Sequence, residues 1–109
     1  MRTYKLHLIR HGMTEGNENG QYIGHTDLKI TTNGIIELEN LKNEGIYPKC
    51  DLVFSSPLSR AVDTAKIIYP DKEILINHNF KEIDFGEFEG KTPNDLKDRQ
   101  DYADWLAGK

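Results

Sequence analysis

A single cysteine, Cys50, stands among 109 residues, so no intrachain disulfide can form and nothing in the thiol content argues for an oxidising compartment. Basic residues are in the minority: 14 Lys and Arg against 18 Asp and Glu give a formal net charge of −4. The broad positive field with which proteins hold nucleic acid or an anionic membrane is therefore missing, and any anion must be gripped locally. Long apolar runs are missing too, none approaching the roughly 20 residues that span a bilayer. The opening residues Met1-Arg2-Thr3-Tyr4-Lys5 lead straight into a short apolar stretch, without the longer apolar core and small-residue cleavage site of a secretory signal, and the expected location is the cytoplasm. No internal repeat, linker or low-complexity tract divides the chain, so residues 1–109 are expected to form a single domain with a modest core.

What is present is an alternation of strand-like and helix-like stretches. Tyr4, Leu6, Leu8 and Ile9 predict a buried first strand that runs into Arg10-His11-Gly12. The following twenty residues read as loop, with Gly12, Gly16, Gly20 and Gly24 spaced among polar residues in the manner of turns. Thr31 or Thr32 predicts a helix cap, Ile35, Leu38 and Leu41 its apolar stripe up to about Asn43, and Gly45 its stop. Asp51 to Ser55 predicts a second strand, apolar on successive positions as a strand covered on both faces should be. Ser56 as cap and Pro57 as first helical residue predict the next helix, whose Leu58, Ala61, Val62, Ala65 and Ile68 share one face. Glu73 to Ile76 predicts a third strand, Asn77 to Lys91 a long loop, and Thr92-Pro93 the opening of a last helix with Leu96, Ala103 and Leu106 on its stripe.

Strand and helix alternating three times predict an α/β fold with a mostly parallel sheet, helices on both faces and right-handed crossovers. Three strands are few for such a sheet, because its faces and edges need cover. The architecture is expected to be incomplete, and pairing of the open sheet edge with a second copy is a physical expectation.

Chemistry concentrates at the end of the first strand. Open α/β sheets place ligands at the carboxyl ends of their strands, and there Arg10 offers a bidentate grip on an oxyanion beside His11, an imidazole able to act as nucleophile or base near neutrality. An isolated Arg-His pair is most often a surface ion pair beside a turn residue. Here Gly12 follows at once, Ser55-Ser56-Pro57 is expected to bring a helix N-terminus to the same end of the sheet, and Arg60 lies one turn into that helix. Two guanidinium groups and an imidazole around one space suit a phosphate ester.

Five blocks in order, Arg10-His11-Gly12, then Thr14 and Asn17, Asp27-x-x-Ile30-Thr31-x-x-Gly34, Ser55-Ser56-Pro57-Leu58-x-Arg60-Ala61-x-x-Thr64-Ala65, and Glu82-x-x-Phe85-Gly86-x-x-Glu89-Gly90, resemble the histidine phosphatase superfamily, the phosphoglycerate mutase-like group. The resemblance covers residues 6 to about 92. It implies the phosphoglycerate mutase-like fold and a phosphoric monoester hydrolase of the histidine acid type, acting on a small phosphorylated metabolite through a phosphohistidine, with no cofactor or metal. It implies that His11 is the nucleophile and that Glu82 is the acid that protonates the leaving alkoxide and later activates water. Arg10, Arg60, Asn17 and Thr14 are implied as phosphate ligands, the cations neutralising charge on the equatorial oxygens in the transition state.

The chain also departs from the family pattern. The later strand-end motif with its second pocket histidine has no counterpart; His7 reads as a core or sheet-face residue, and His25 and His78 read as loop residues. Met13 stands where the family often has Glu or Gln. His25 within Gly24-His25-Thr26-Asp27, where the mutases usually carry Trp, and the short Phe85 to Gly90 segment look like the small phosphatases, including the α-ribazole phosphatase type. Phosphoglycerate mutase-type transfer is the alternative reaction, and a catalytically incomplete phosphate-ester-binding fragment the alternative of another class. Other motifs fail on spacing: Gly86 to Thr92 has three residues between its glycines where a nucleotide-binding P-loop needs four, and His7, His11 and Asp27 lack metal-ligand spacing.

Overall fold

The computed structural model describes residues 3–80 and 85–108. Two helices and a two-stranded parallel sheet form its centre. After a single-turn helix α1 (Glu15–Glu18), helix α2 (Thr32–Asn43) begins where the Thr31 hydroxyl accepts the Gly34 N–H at 3.0 Å. It ends where Gly45 takes φ +75° and lets the Ile46 N–H reach back to the Leu41 carbonyl at 3.3 Å. Both limits agree with the expectation. Gly34 has a packing reason for lying in a helix: a Cβ there would meet the Met13 carbonyl oxygen at 2.5 Å, so its absence lets α2 lie directly on the main chain after the His11 turn.

Strand β1 (Val53–Ser55) pairs in parallel with β2 (Ile74–Ile76) in the register Val53 with Ile74 and Ser55 with Ile76. Between them runs helix α3 (Ser59–Ile68), which packs on both strands and on α2. The parallel pairing and the helical crossover are those expected. Three sequence expectations are corrected. Phe54 is 53% exposed between buried Val53 and Ser55, so β1 is covered on one face and not on two; its ring stands edge-on to that of Phe80. α3 starts two residues later than expected, with Leu58 and not Ser56 at its cap. The reason is non-local: Asp27 supplies the missing cap, accepting from the Ser59 N–H at 2.7 Å and from its hydroxyl at 3.0 Å. Third, residues 3–10 are exposed and form no strand, Leu6 at 85% and Leu8 at 89% exposure, and His7 is likewise exposed. Their pattern suits burial, yet β1 has its ladder partner in β2, and no described strand pairs with them.

The expected last helix is broken in two. Helix α4 (Pro93–Leu96) is opened by a capping box between Thr92 and Asp95, and α5 (Gln100–Leu106) follows with Arg99 at its cap. Buried Leu96 and Tyr102 lead into an aromatic cluster in which Tyr22, Phe88 and Trp105 surround Tyr102 and Phe85 packs on Tyr22 and Trp105; the Tyr102 hydroxyl meets that of Tyr22 at 2.7 Å. No helix of the described residues is long and apolar enough to cross a membrane.

Candidate active site

The His11 turn is wedged between two helices. A Cβ on Gly12 would lie 2.7 Å from Leu38 of α2, and the Gly12 N–H donates to the Thr64 hydroxyl of α3 at 2.8 Å. Thr64 passes its own proton to the Arg60 carbonyl one turn earlier, at 2.6 Å. Arg60 and Thr64 are four residues apart, so they share a face of α3, and the Gly12 to Thr64 bond brings the His11 turn alongside the face that carries Arg60.

His11 is half-buried, and its Nδ1 lies 2.6 Å from the Gly12 carbonyl oxygen. A carbonyl only accepts, so Nδ1 carries the proton and, in the neutral ring, the lone pair sits on Nε2. Asn17 is oriented by a similar argument. Its Oδ1 accepts from the Thr14 N–H at 3.0 Å and from the Thr14 hydroxyl at 3.1 Å, while the Asn17 N–H donates to that hydroxyl at 3.3 Å. This capping box of α1 fixes which end of the amide is oxygen and turns the two amide protons away from the box; no hydrogen bond among the described residues engages them. Thr14, wholly buried, spends its hydroxyl proton inside the box, so the expected donation to phosphate gives way in this arrangement to positioning Asn17.

The two arginines differ. Arg10 is exposed and forms no ion pair among the described residues. Arg60 is 1% exposed, and its guanidinium donates to the Thr26 carbonyl at 2.7 Å and to the Gly24 carbonyl at 2.5 Å. Glu82, expected as the acid, lies outside the described residues. His25 sits exposed in a loop, as expected, whereas His78, also exposed, opens a single 3-10 turn (His78–Phe80). The expected free helix N-terminus is not available at α3, since Asp27 takes the Ser59 N–H.

Sequence reasoning leaves three residues without a role. Thr64 bolts the His11 turn to α3, and Asp27 caps that helix. Glu89 accepts the Gly24 N–H through both oxygens at 3.0 Å and the Thr26 N–H at 3.1 Å. Burial pushes the Glu89 carboxyl up, but hydrogen bonds from the Thr26 side chain and from the backbone of Gly24, Thr26 and Phe85 outweigh it and hold the group below its ordinary value. The partners of these three residues are backbone groups 32 to 65 residues away, so no local pattern in the sequence marks them. A recess between α3 and β2, lined by Val62, Lys66, Ile74 and Ile76, lies away from this chemistry.

An orientated imidazole, a preset amide and a buried guanidinium are each of a kind that can attack or bind an anion. The adenosylcobalamin/alpha-ribazole phosphatase of Escherichia coli is 34% identical over 105 residues, which cover 93% of this chain and 52% of that one. The 2,3-bisphosphoglycerate-dependent phosphoglycerate mutase of Bifidobacterium longum is 33% identical over 111 residues, 94% of this chain and 44% of its own. The crystal structure of phosphoserine phosphatase from Entamoeba histolytica in complex with 3-phosphoglyceric acid superposes with a TM-score of 0.81 at 39% identity, covering 91% of this chain and 50% of that one. The chain thus spans about half the length of the relatives it matches. The family model of the histidine phosphatase superfamily, branch 1, matches residues 6–109, and the chain belongs to that superfamily.

Proposed function

We propose that the chain carries the nucleophile half of a phosphomonoesterase site of the acid-phosphatase type that works through a phosphohistidine. The observation that carries the reading is the 2.6 Å bond from His11 Nδ1 to the Gly12 carbonyl, which leaves Nε2 as the attacking atom. Nε2 attacks phosphorus in line, the ester P–O bond breaks, and the leaving alkoxide takes a proton from Glu82. Water then attacks the phosphohistidine, returns its proton to Glu82, and releases phosphate and the neutral ring. Arg10, Arg60 and the Asn17 amide hold the phosphoryl oxygens, with Thr14 keeping Asn17 in place. The step needs no metal or cofactor. The substrate class is a small phosphorylated metabolite, in line with the 3-phosphoglyceric acid bound by the Entamoeba enzyme. A cytoplasmic site of action and a single domain over residues 1–109 belong to the same proposal.

Hydrolysis is favoured over mutase-type transfer by His25 in the Gly24 to Asp27 stretch and by the short Phe85 to Gly90 loop. The alternative of another class is phosphate-ester binding without turnover. Hydrolysis of an aryl phosphate with chelator present separates them. The wild-type chain is expected to turn over and His11→Ala to lose at least about a hundredfold, the usual worth of a nucleophile or its base. Acid-labile phosphate on the chain without turnover would indicate a half-functional site, and the absence of both signals would overturn the phosphatase reading in favour of binding alone.

A further inference from the structure

We propose that Glu89 is a positioning residue for Arg60, acting through a three-residue strap, Gly24 to Thr26, that lies between them. This rests on the reading that Arg60 serves a bound phosphoryl group. Two strap residues face both partners: Gly24 and Thr26 each give an N–H to the Glu89 carboxylate and a carbonyl to the Arg60 guanidinium. Neither partner touches only one end of the strap. The next residue, Asp27, ties the strap to Ser59 in the first turn of α3, one residue before Arg60.

A strap beginning at glycine has little stiffness of its own, and a carboxylate is the group suited to hold it. Its two oxygens offer about four lone-pair sites, enough for the N–H groups of Gly24 and Thr26 together. An amide in its place would bring one acceptor oxygen and a pair of protons facing donors. The lowered pKa of Glu89, which favours its charged form, agrees with a carboxylate used as a pure acceptor. The loop that carries it is itself docked, since the Tyr22 N–H donates to the Lys91 carbonyl and the Gly90 N–H to the Tyr22 carbonyl, both at 2.8 Å. Glu87, in the same loop, points to the surface instead and pairs there with Arg99 at 2.7 Å. The two carboxylates of this short loop are therefore a natural pair of test and control.

The test compares the wild-type chain with Glu89→Gln and Glu87→Gln. Side-chain NMR of the Arg60 guanidinium protons reads the clamp directly, and titration with orthophosphate reads its consequence. Glu89→Gln is expected to move the Arg60 signals, to speed their exchange with water at least about tenfold, and to weaken orthophosphate binding about tenfold, the scale of one lost charge-assisted contact. In the aryl phosphate assay the loss should fall on KM more than on kcat, and Glu87→Gln should change none of these. Unchanged Arg60 signals in a folded Glu89→Gln chain would overturn the proposal, as would altered signals with unchanged phosphate affinity. Should Glu89→Gln not fold, the wild type is titrated with acid: the Arg60 and Gly24 signals should shift together at the Glu89 carboxyl midpoint, and signals that stay fixed through it sink the idea. Absence of both orthophosphate binding and His11-dependent turnover in the wild type would refute the phosphatase reading instead, with the Arg60 signals still judging the clamp.

Discussion

Thr64 shows how much a single hydroxyl can organise. It accepts the Gly12 N–H and donates to the Arg60 carbonyl, so one buried side chain joins the turn that presents His11 to the helix that carries Arg60. Thr64→Val keeps the shape and removes the acceptor, stranding a buried N–H at an expected cost of about 1–3 kcal/mol. Urea denaturation measures it, and Thr64→Ser, which keeps the hydroxyl, should recover most of the loss. Residue chemistry of this sort is only partly legible in the sequence. His11, Arg60 and Asn17 stand out because their functional groups are rare in that spacing. Thr64 and Glu89 do not, because their partners are backbone groups 52 and 65 residues away, which no local pattern encodes.

Elements whose limits are set locally are legible in the sequence. α2 has its cap at Thr31 and its stop at Gly45, both within a few residues of the helix they end. The start of α3 escapes such a reading because its cap is Asp27, brought in by tertiary structure, while after the Ser56-Pro57 pair that imitates a cap the chain bends at Pro57 and Leu58 before the helix begins at Ser59. The last helix reads as one in the sequence, although α4 closes its own capping box at Asp95 and the chain turns before Arg99. A glycine inside α2 tests the packing argument. Alanine gains about 1 kcal/mol of helix preference over glycine, but the new methyl group would meet the Met13 carbonyl at 2.5 Å, and displacing main chain costs about 1–3 kcal/mol. Gly34→Ala is therefore expected to lower the thermal midpoint and, by pushing on Met13, to reduce His11-dependent turnover.

At the scale of the whole molecule the outline is drawn out: the radius of gyration is 16.4 Å, where about 13 Å is usual for a compact chain of this length. Residues 3–10 are exposed and carry the hydrophobic alternation of a strand without a partner among the described residues. Periodicity states what a segment is fit for, and a ladder needs a second strand to realise it. That is why the first strand is legible as a tendency and absent as an element. Tyr4, Leu6 and Leu8 on the open run, with Phe54 and Phe80 on the uncovered sheet face, make self-association through this edge the expected behaviour. Sedimentation across a concentration series should show it. Leu8→Lys should weaken it at least about tenfold, since burying one leucine is worth about 2 kcal/mol.

The strap over Arg60 has a consequence for how the protein meets changing ionic strength. Dissolved ions shield charges they can approach, within about 8 Å at physiological concentration, and the Arg99 group with Glu87 and Asp101 lies open to them. Arg60 is 1% exposed and lies out of their reach. Molar sodium chloride should thus loosen Arg99, seen as faster guanidinium proton exchange, while Arg60 keeps its slow exchange. The anion grip of the fold would be seated on a cation that brine does not disturb.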